Sequence, residues 1–226
     1  MTADSAAIAQ AKKDRLAMRD AVVEAALMHA AFDGWSQATM RAAAADADVP
    51  VEDLNRLFPR GVISLLDALD DWVDRRMDDA TGPEFENFPV RKKISTLVRA
   101  RFEVLENYKE ATRRAVVARG WPTKAVDSGQ SVWRTVDRIW QKAGFADSTR
   151  DGVSYYTRRA ILAGVLVSTC LYWLEDNSDG SNETWRFLDD RINGVLRFGK
   201  MQKNLTDLVT KFPGFGGLPP FMRSRA

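Results

Sequence analysis

The chain has 226 residues, 45% of them apolar and 28% charged, which is enough to bury one sizeable core and suits one two-part domain better than two independent ones. One cysteine, Cys170, excludes an intramolecular disulfide, and one histidine, His29, excludes metal sites built from several histidines within a chain. The net charge of +2 conceals an asymmetry: residues 1–90 carry 9 Lys+Arg against 17 Asp+Glu, and residues 91–226 carry 24 against 14, so a polyanionic surface is better met by the C-terminal part.

Apolar spacing is helical almost throughout, with breaks at Gly and Pro, and predicts an all-α bundle of nine or ten helices. Met1 to Lys13 has neither the apolar core of a signal peptide nor the Arg-rich face of a transit peptide, so a cytoplasmic location is expected. The first helix is expected from about Arg15 to Phe32, with Met18, Val22, Ala25, Ala26 and His29 on its inward stripe and Asp33-Gly34 as its stop. Ser36 reads as the N-cap of a short second helix ending near Ala45. A third starts near Pro50 and ends before Phe58-Pro59, completing a helix-turn-helix spacing.

The fourth helix, about Val62 to Met77, turns Leu65, Leu66, Leu69, Trp72 and Val73 inward, while Asp70-Asp71-Asp74 and Asp78-Asp79 read as a solvated face. Thr81 to Pro89, with Gly82, Pro83 and Pro89, reads as a linker. A fifth helix is marked by Ile94, Leu97, Val98, Phe102 and Leu105, a short sixth covers Ala111 to Arg119, and a seventh runs from about Lys124 to Ala143. Ser148 with Asp151 forms a capping-box signature that opens the eighth. Its apolar run, Ala160 to Leu174, would be about 22 Å long, short of the roughly 30 Å of a bilayer's hydrocarbon core, so it reads as a buried helix. After a loop at Asn177 to Ser181, a ninth helix spans about Glu183 to Phe198 and a last one Gln202 to Phe212. The expected organisation is a helix-turn-helix subdomain at 1–80, a second helical domain at 90–200, and an amphipathic segment with a tail at 201–226.

The chemistry-bearing residues are sparse. A bundle-type di-iron centre needs a Glu-x-x-His motif on each of two helices, and the chain has none. The glycines at Gly214, Gly216 and Gly217 do not open a helix after a strand, so they form no phosphate loop. His29 reads as a core or boundary residue and Cys170 as an inert buried thiol. No catalytic residue, metal site or cofactor is assigned.

Arg19 to Met77, with the Gly34-Trp35 stop and the alanine-rich second helix, resembles the N-terminal domain of TetR-type repressors. The third helix, however, offers Val51, Glu52, Asp53, Leu54 and Asn55 where phosphate contact favours Lys, Arg, Ser or Tyr, so carboxylates would face phosphates. The C-terminal part is similar to the ubiquinone-biosynthesis family called Coq-nine, at Tyr155-Tyr156-Thr157-Arg158-Arg159-Ala160, at Glu183 to Leu188 with Arg191-Ile192, and upstream at Val136 to Gly144. That resemblance implies a TetR-like fold without DNA binding, a lipid pocket, and partnership with the demethoxyubiquinone hydroxylase through a patch at Asp137, Trp140 and Gln141. Gln141 stands where mitochondrial members more often have an aromatic. Trp140 can equally be a core residue.

Phe102, Leu105, Trp133, Leu162, Leu166 and Trp185 are the candidate lipid contacts. Ala160, Ala163, Gly164, Ser168 and Thr169 either leave room for an isoprenoid tail or let a neighbouring helix approach closely. Leu205, Leu208, Val209 and Phe212 share one face of the last helix between Lys203 and Lys211, a pattern for lying in a bilayer interface or for docking on the bundle itself. The expected function is a non-catalytic lipid-binding accessory protein of ubiquinone biosynthesis, peripheral to the membrane's inner face and homodimeric. A ligand-responsive TetR-type repressor is the alternative, and an enzyme with an unrecognised helical site is a third.

Overall fold

The structure, a computed structural model, describes residues 3–120, 125–144 and 153–194. The described residues form helices α1 (Ala3–Asp33), α2 (Gln37–Asp46), α3 (Val51–Leu57), α4 (Val62–Asp79), α5 (Val90–Val104), α6 (Lys109–Ala118), α7 (Ala125–Lys142) and α8 (Val153–Glu175), with a ninth, α9, over 182–194. The fold is therefore all-α among the described residues. The Ser148–Asp151 cap and the last helix with Leu205, Leu208, Val209 and Phe212 lie outside them.

Helix α1 begins at Ala3, well ahead of Arg15, and ends where Gly34 takes a φ of 71° and donates its N–H to the Ala30 carbonyl at 3.2 Å. A side chain resists that left-handed conformation, so the glycine lets the chain turn back sharply. Ser36 caps α2 as its sequence suggests, accepting from the Thr39 N–H at 3.1 Å. Val22, Val23, Ala26 and Leu27 of α1 meet Ala43 and Ala44 of α2 and Leu65 of α4 in a sealed core, whereas Met18, expected on the inward stripe, is exposed. The Trp35 indole donates to the Ala111 carbonyl at 2.8 Å, tying the α1–α2 corner to α6.

Thr81 to Pro89 is more than a tether. Pro83–Asn87 forms a 3-10 turn that buries Phe85, which packs edge-on against Phe88 at 6.2 Å between centroids. The ammonium of Lys92 sits 3.7 Å above the Phe88 ring. The largest departure from expectation is on α4, where Asp70, Asp74 and Asp78 of the face taken as solvated point into the protein, while Asp79 is exposed as expected and Asp71 is half-exposed. Asp74 is only 5% exposed and binds Arg101 of α5 and the Thr135 hydroxyl of α7, the latter at 2.9 Å. Asp70 accepts from Arg101 at 3.1 Å and from Arg119 at 2.5 Å, and Asp78 accepts from Arg138 at 2.7 Å. A carboxylate row on a helix pairs with arginines of three other segments here, because buried charge persists only when paired.

Candidate lipid cavity

The side chains of α4 to α8 leave a hollow of about 530 Å³, within the roughly 300–1,000 Å³ usual for small-molecule sites. Leu69 and Val73 come from α4, Phe102 from α5 with Leu105 just after it, and Ala115 and Val116 from α6. Val132 and Trp133 of α7 and an arc of α8 through Ala160, Ala163, Gly164, Val167 and Leu171 complete the apolar wall. Ala160, Gly164 and Leu171 are exposed, so the hollow opens along this edge of α8. A Cβ built on Gly164 would meet nothing within 4 Å, so the glycine widens the opening and does not serve close helix contact. Trp133 stacks on exposed Tyr156 with ring centroids 6.2 Å apart.

Of the residues expected to touch lipid, Phe102, Leu105, Trp133 and Leu166 line this hollow. Leu162 and Trp185 do not. Leu162 falls just beyond the arc of α8 that faces the hollow and is buried in the core, while Trp185, on α9, donates its indole N–H to the Gly180 carbonyl at 2.8 Å beneath the Arg99 guanidinium. The α4 and α6 contributions carried no sequence signal beyond ordinary apolar periodicity. The hollow also has a polar wall, which sequence reasoning missed: Asp70, Arg101, Arg119, Thr112 and Ser131.

Burial pulls the Arg101 guanidinium below its ordinary pKa against the opposing pull of Asp70. Burial pushes the Cys170 thiol, also on the cavity wall, up to about 11 despite nearby Arg101, so it stays protonated and unreactive at neutral pH.

The expected partner patch is built differently from an exposed anchor. Asp137 accepts from buried Arg159 at 2.8 Å and from Gln141 at 2.7 Å, Gln141 is exposed, and Trp140 is partly buried against the core. Asp137 and Gln141 line a polar cleft of about 530 Å³ between α4 and α7, opposite Asp71, Asp74 and Asp78. Asp70 and Ser131 belong to the walls of both the cleft and the apolar hollow, so these two residues partition them.

The described residues contain no helix long and apolar enough to cross a membrane. In architecture the chain is similar to the crystal structure of a TetR transcriptional regulator from Nitrosomonas europaea, with a TM-score of 0.60 and 23% identity over 78% of this chain and 96% of that one. The fold class is thus that of a TetR-like helical protein, here with an open apolar hollow. Residues 125–199, which include the α7 and α8 walls, match the COQ9 family model. The chain is similar to the mitochondrial ubiquinone biosynthesis protein COQ9 of Drosophila melanogaster, 28% identical over 208 residues, 90% of this chain and 62% of that protein. COQ9 of Rattus norvegicus is 36% identical over 108 residues, 48% of this chain and 34% of that protein, and COQ9 of Homo sapiens is 33% identical over 108 residues, 48% and 33%. The chain spans between about a third and three fifths of the length of these curated relatives. The chain thus combines a TetR-like architecture with a stretch, residues 125–199, that is similar to COQ9.

Proposed function

We propose that the protein serves ubiquinone biosynthesis as a non-catalytic lipid-binding accessory, sheltering a polyprenylated quinone precursor at the membrane surface and presenting it to the demethoxyubiquinone hydroxylase. The observation that carries this reading is the apolar hollow open along α8, with Gly164 at its exposed edge. Drawing a polyprenyl tail into water costs about 0.8 kcal/mol per exposed CH₂, so a carrier of such a molecule needs a sheltered apolar surface and a place on the bilayer. The sequence pattern of Leu205, Leu208, Val209 and Phe212, flanked by Lys203 and Lys211, supplies a bilayer-seeking face, and Asp137, Trp140 and Gln141 are the proposed hydroxylase contacts. Ile161 and Tyr172, which lie outside the lining of the hollow, leave apolar surface exposed on α8 that suits pairing of two copies.

Native mass spectrometry of the purified chain tests the lipid reading: bound isoprenoid or phospholipid is expected, and repeated failure of delipidated protein to take up either overturns it. Leu208→Asp with Phe212→Asp is expected to abolish liposome flotation, and unchanged flotation removes the membrane role from that segment. The TetR-like fold keeps a repressor as the rival, but the exposed residues of α3 are Val51, Glu52, Asn55 and Arg56, and its one arginine pairs with Asp53 of the same helix at 3.2 Å. Sequence-specific DNA binding with a steep salt slope would decide for the repressor.

A further inference from the structure

The polar wall of the hollow has a composition of its own. Arg101 is 8% exposed and is held by Asp74 and by Asp70, so two of the five N–H groups of its guanidinium are engaged by those carboxylates. Arg119 stands beside it on the same wall, bound to Asp70 at 2.5 Å and to the Leu66 carbonyl at 2.8 Å. The two guanidinium groups are thus matched by Asp70 and Asp74, with Asp67 a third carboxylate 3.9 Å from Arg119. An apolar ligand gains nothing from such a wall, since it offers no acceptor to the guanidinium N–H groups of Arg101. A phosphate would bring an extra negative charge to a cluster that is already balanced, beside buried Asp74 and partly buried Asp70. A neutral ring bearing carbonyl or alkoxy oxygens accepts hydrogen bonds there and leaves the ion pairs intact.

We infer that Arg101 and its neighbours form the head-binding wall of the cavity, selecting a neutral, oxygen-substituted ring over a charged headgroup. This rests on the lipid-carrier reading above. The tail then lies against Phe102, Leu105 and Val167 and leaves at the exposed edge of α8 near Gly164. Because Asp70 and Ser131 also line the polar cleft, the ring is separated by one layer of side chains from the cleft that holds Asp137 and Gln141. The head, not the tail, is next to the proposed partner patch.

The test titrates the full chain, by native mass spectrometry, with three probes: a benzoquinone carrying a short prenyl tail, the prenyl hydrocarbon without a ring, and a short-chain phosphatidylglycerol. Wild type is compared with Arg101→Lys, which keeps the charge but loses the planar fork, and with the charge-balanced double variant Arg101→Met/Asp74→Asn, after thermal melting has shown which variants fold. The expected result is quinone binding about tenfold weaker in the double variant and intermediate in Arg101→Lys, the scale of one or two lost hydrogen bonds, with hydrocarbon binding unchanged. Unchanged quinone affinity, an equal loss for quinone and hydrocarbon, or tighter binding of the phospholipid would each overturn the inference while leaving a lipid carrier in place. Wild type binding none of the three probes would instead overturn the carrier reading, and this inference with it.

Discussion

Helices α1 to α4 close on Val22, Val23, Ala26 and Leu27, with Ala43 and Leu65 sealed against them, whereas α4 to α8 stand around a hollow of about 530 Å³ whose edge is lined by Ala160 and Gly164. Protein interiors normally fill to the density of organic crystals, so an open apolar space in one half of a molecule, beside a tightly packed core in the other, is where the proposed lipid would lie. The closed half keeps the helix-turn-helix architecture, and the first turn of its α3 carries Glu52 and Asp53. Helices α7 and α8 of the open half fall within the stretch matched by the COQ9 family model. Packing separates scaffold from site in this chain, with α4 shared between them.

The junction at α4 is the place to break that comparison hardest. Asp74 joins α4 to α5 through Arg101 and to α7 through Thr135. Asp74→Ala leaves the Arg101 guanidinium buried with one carboxylate fewer, and the expected loss is about 3–5 kcal/mol in urea unfolding. A loss under about 1 kcal/mol would mean that the two halves are not joined here. Arg101→Met added to Asp74→Ala should recover part of the stability, since removing both charges is cheaper than stranding one.

The same residue shows what the sequence could and could not reveal. Helix order, the Ser36 cap, the Gly34 stop and the α3 boundary were legible because each rests on local chemistry within a few residues. The polar wall was not, because Asp70, Asp71 and Asp74 at helical spacing look the same whether water or arginine faces them, and Arg101 and Arg119 lie 31 and 49 positions away from Asp70. Likewise Leu166 and Leu162 are one helical turn apart and equally apolar, yet only Leu166 lines the hollow. That distinction depends on how α8 is rotated against α5 and α7, a tertiary quantity with no local signature.

The hairpin between α8 and α9 supports the open half and gives the next largest effect. Asp176 accepts from the Ser178 N–H at 2.8 Å and from the Thr184 N–H and hydroxyl at 2.8 and 2.6 Å. Burial acts to raise its pKa, but these hydrogen bonds prevail and hold the carboxyl well below the usual carboxylate range. A depressed folded-state value means that the contribution is fully present above the unfolded pKa of about 3.9 and is lost as pH falls through the folded value. Asp176→Asn should therefore cost about 1.5–3 kcal/mol at pH 7 in denaturant unfolding. The gap to wild type should shrink below about pH 4, and a gap that stays constant to strongly acid pH would show that the charge of Asp176 does not stabilise the hairpin.

The sharpest contrast uses the same new side chain at one position in each half. Ala43 is fully buried between α1 and α2, so Ala43→Leu must force its neighbours off their rotamers, at about 1–3 kcal/mol. Gly164 sits in α8 with open space where its Cβ would be, so Gly164→Leu should be tolerated and gain about 0.5–1 kcal/mol from replacing a helical glycine. Thermal melting of the two variants should move in opposite directions. If Gly164→Leu also lowers the melting temperature, the edge of α8 is closed against another surface and the opening proposed for the lipid tail is not there. If it melts higher than wild type but no longer retains co-purifying lipid, the added side chain has filled the space the tail would use, which ties the stability gain and the loss of ligand to one position.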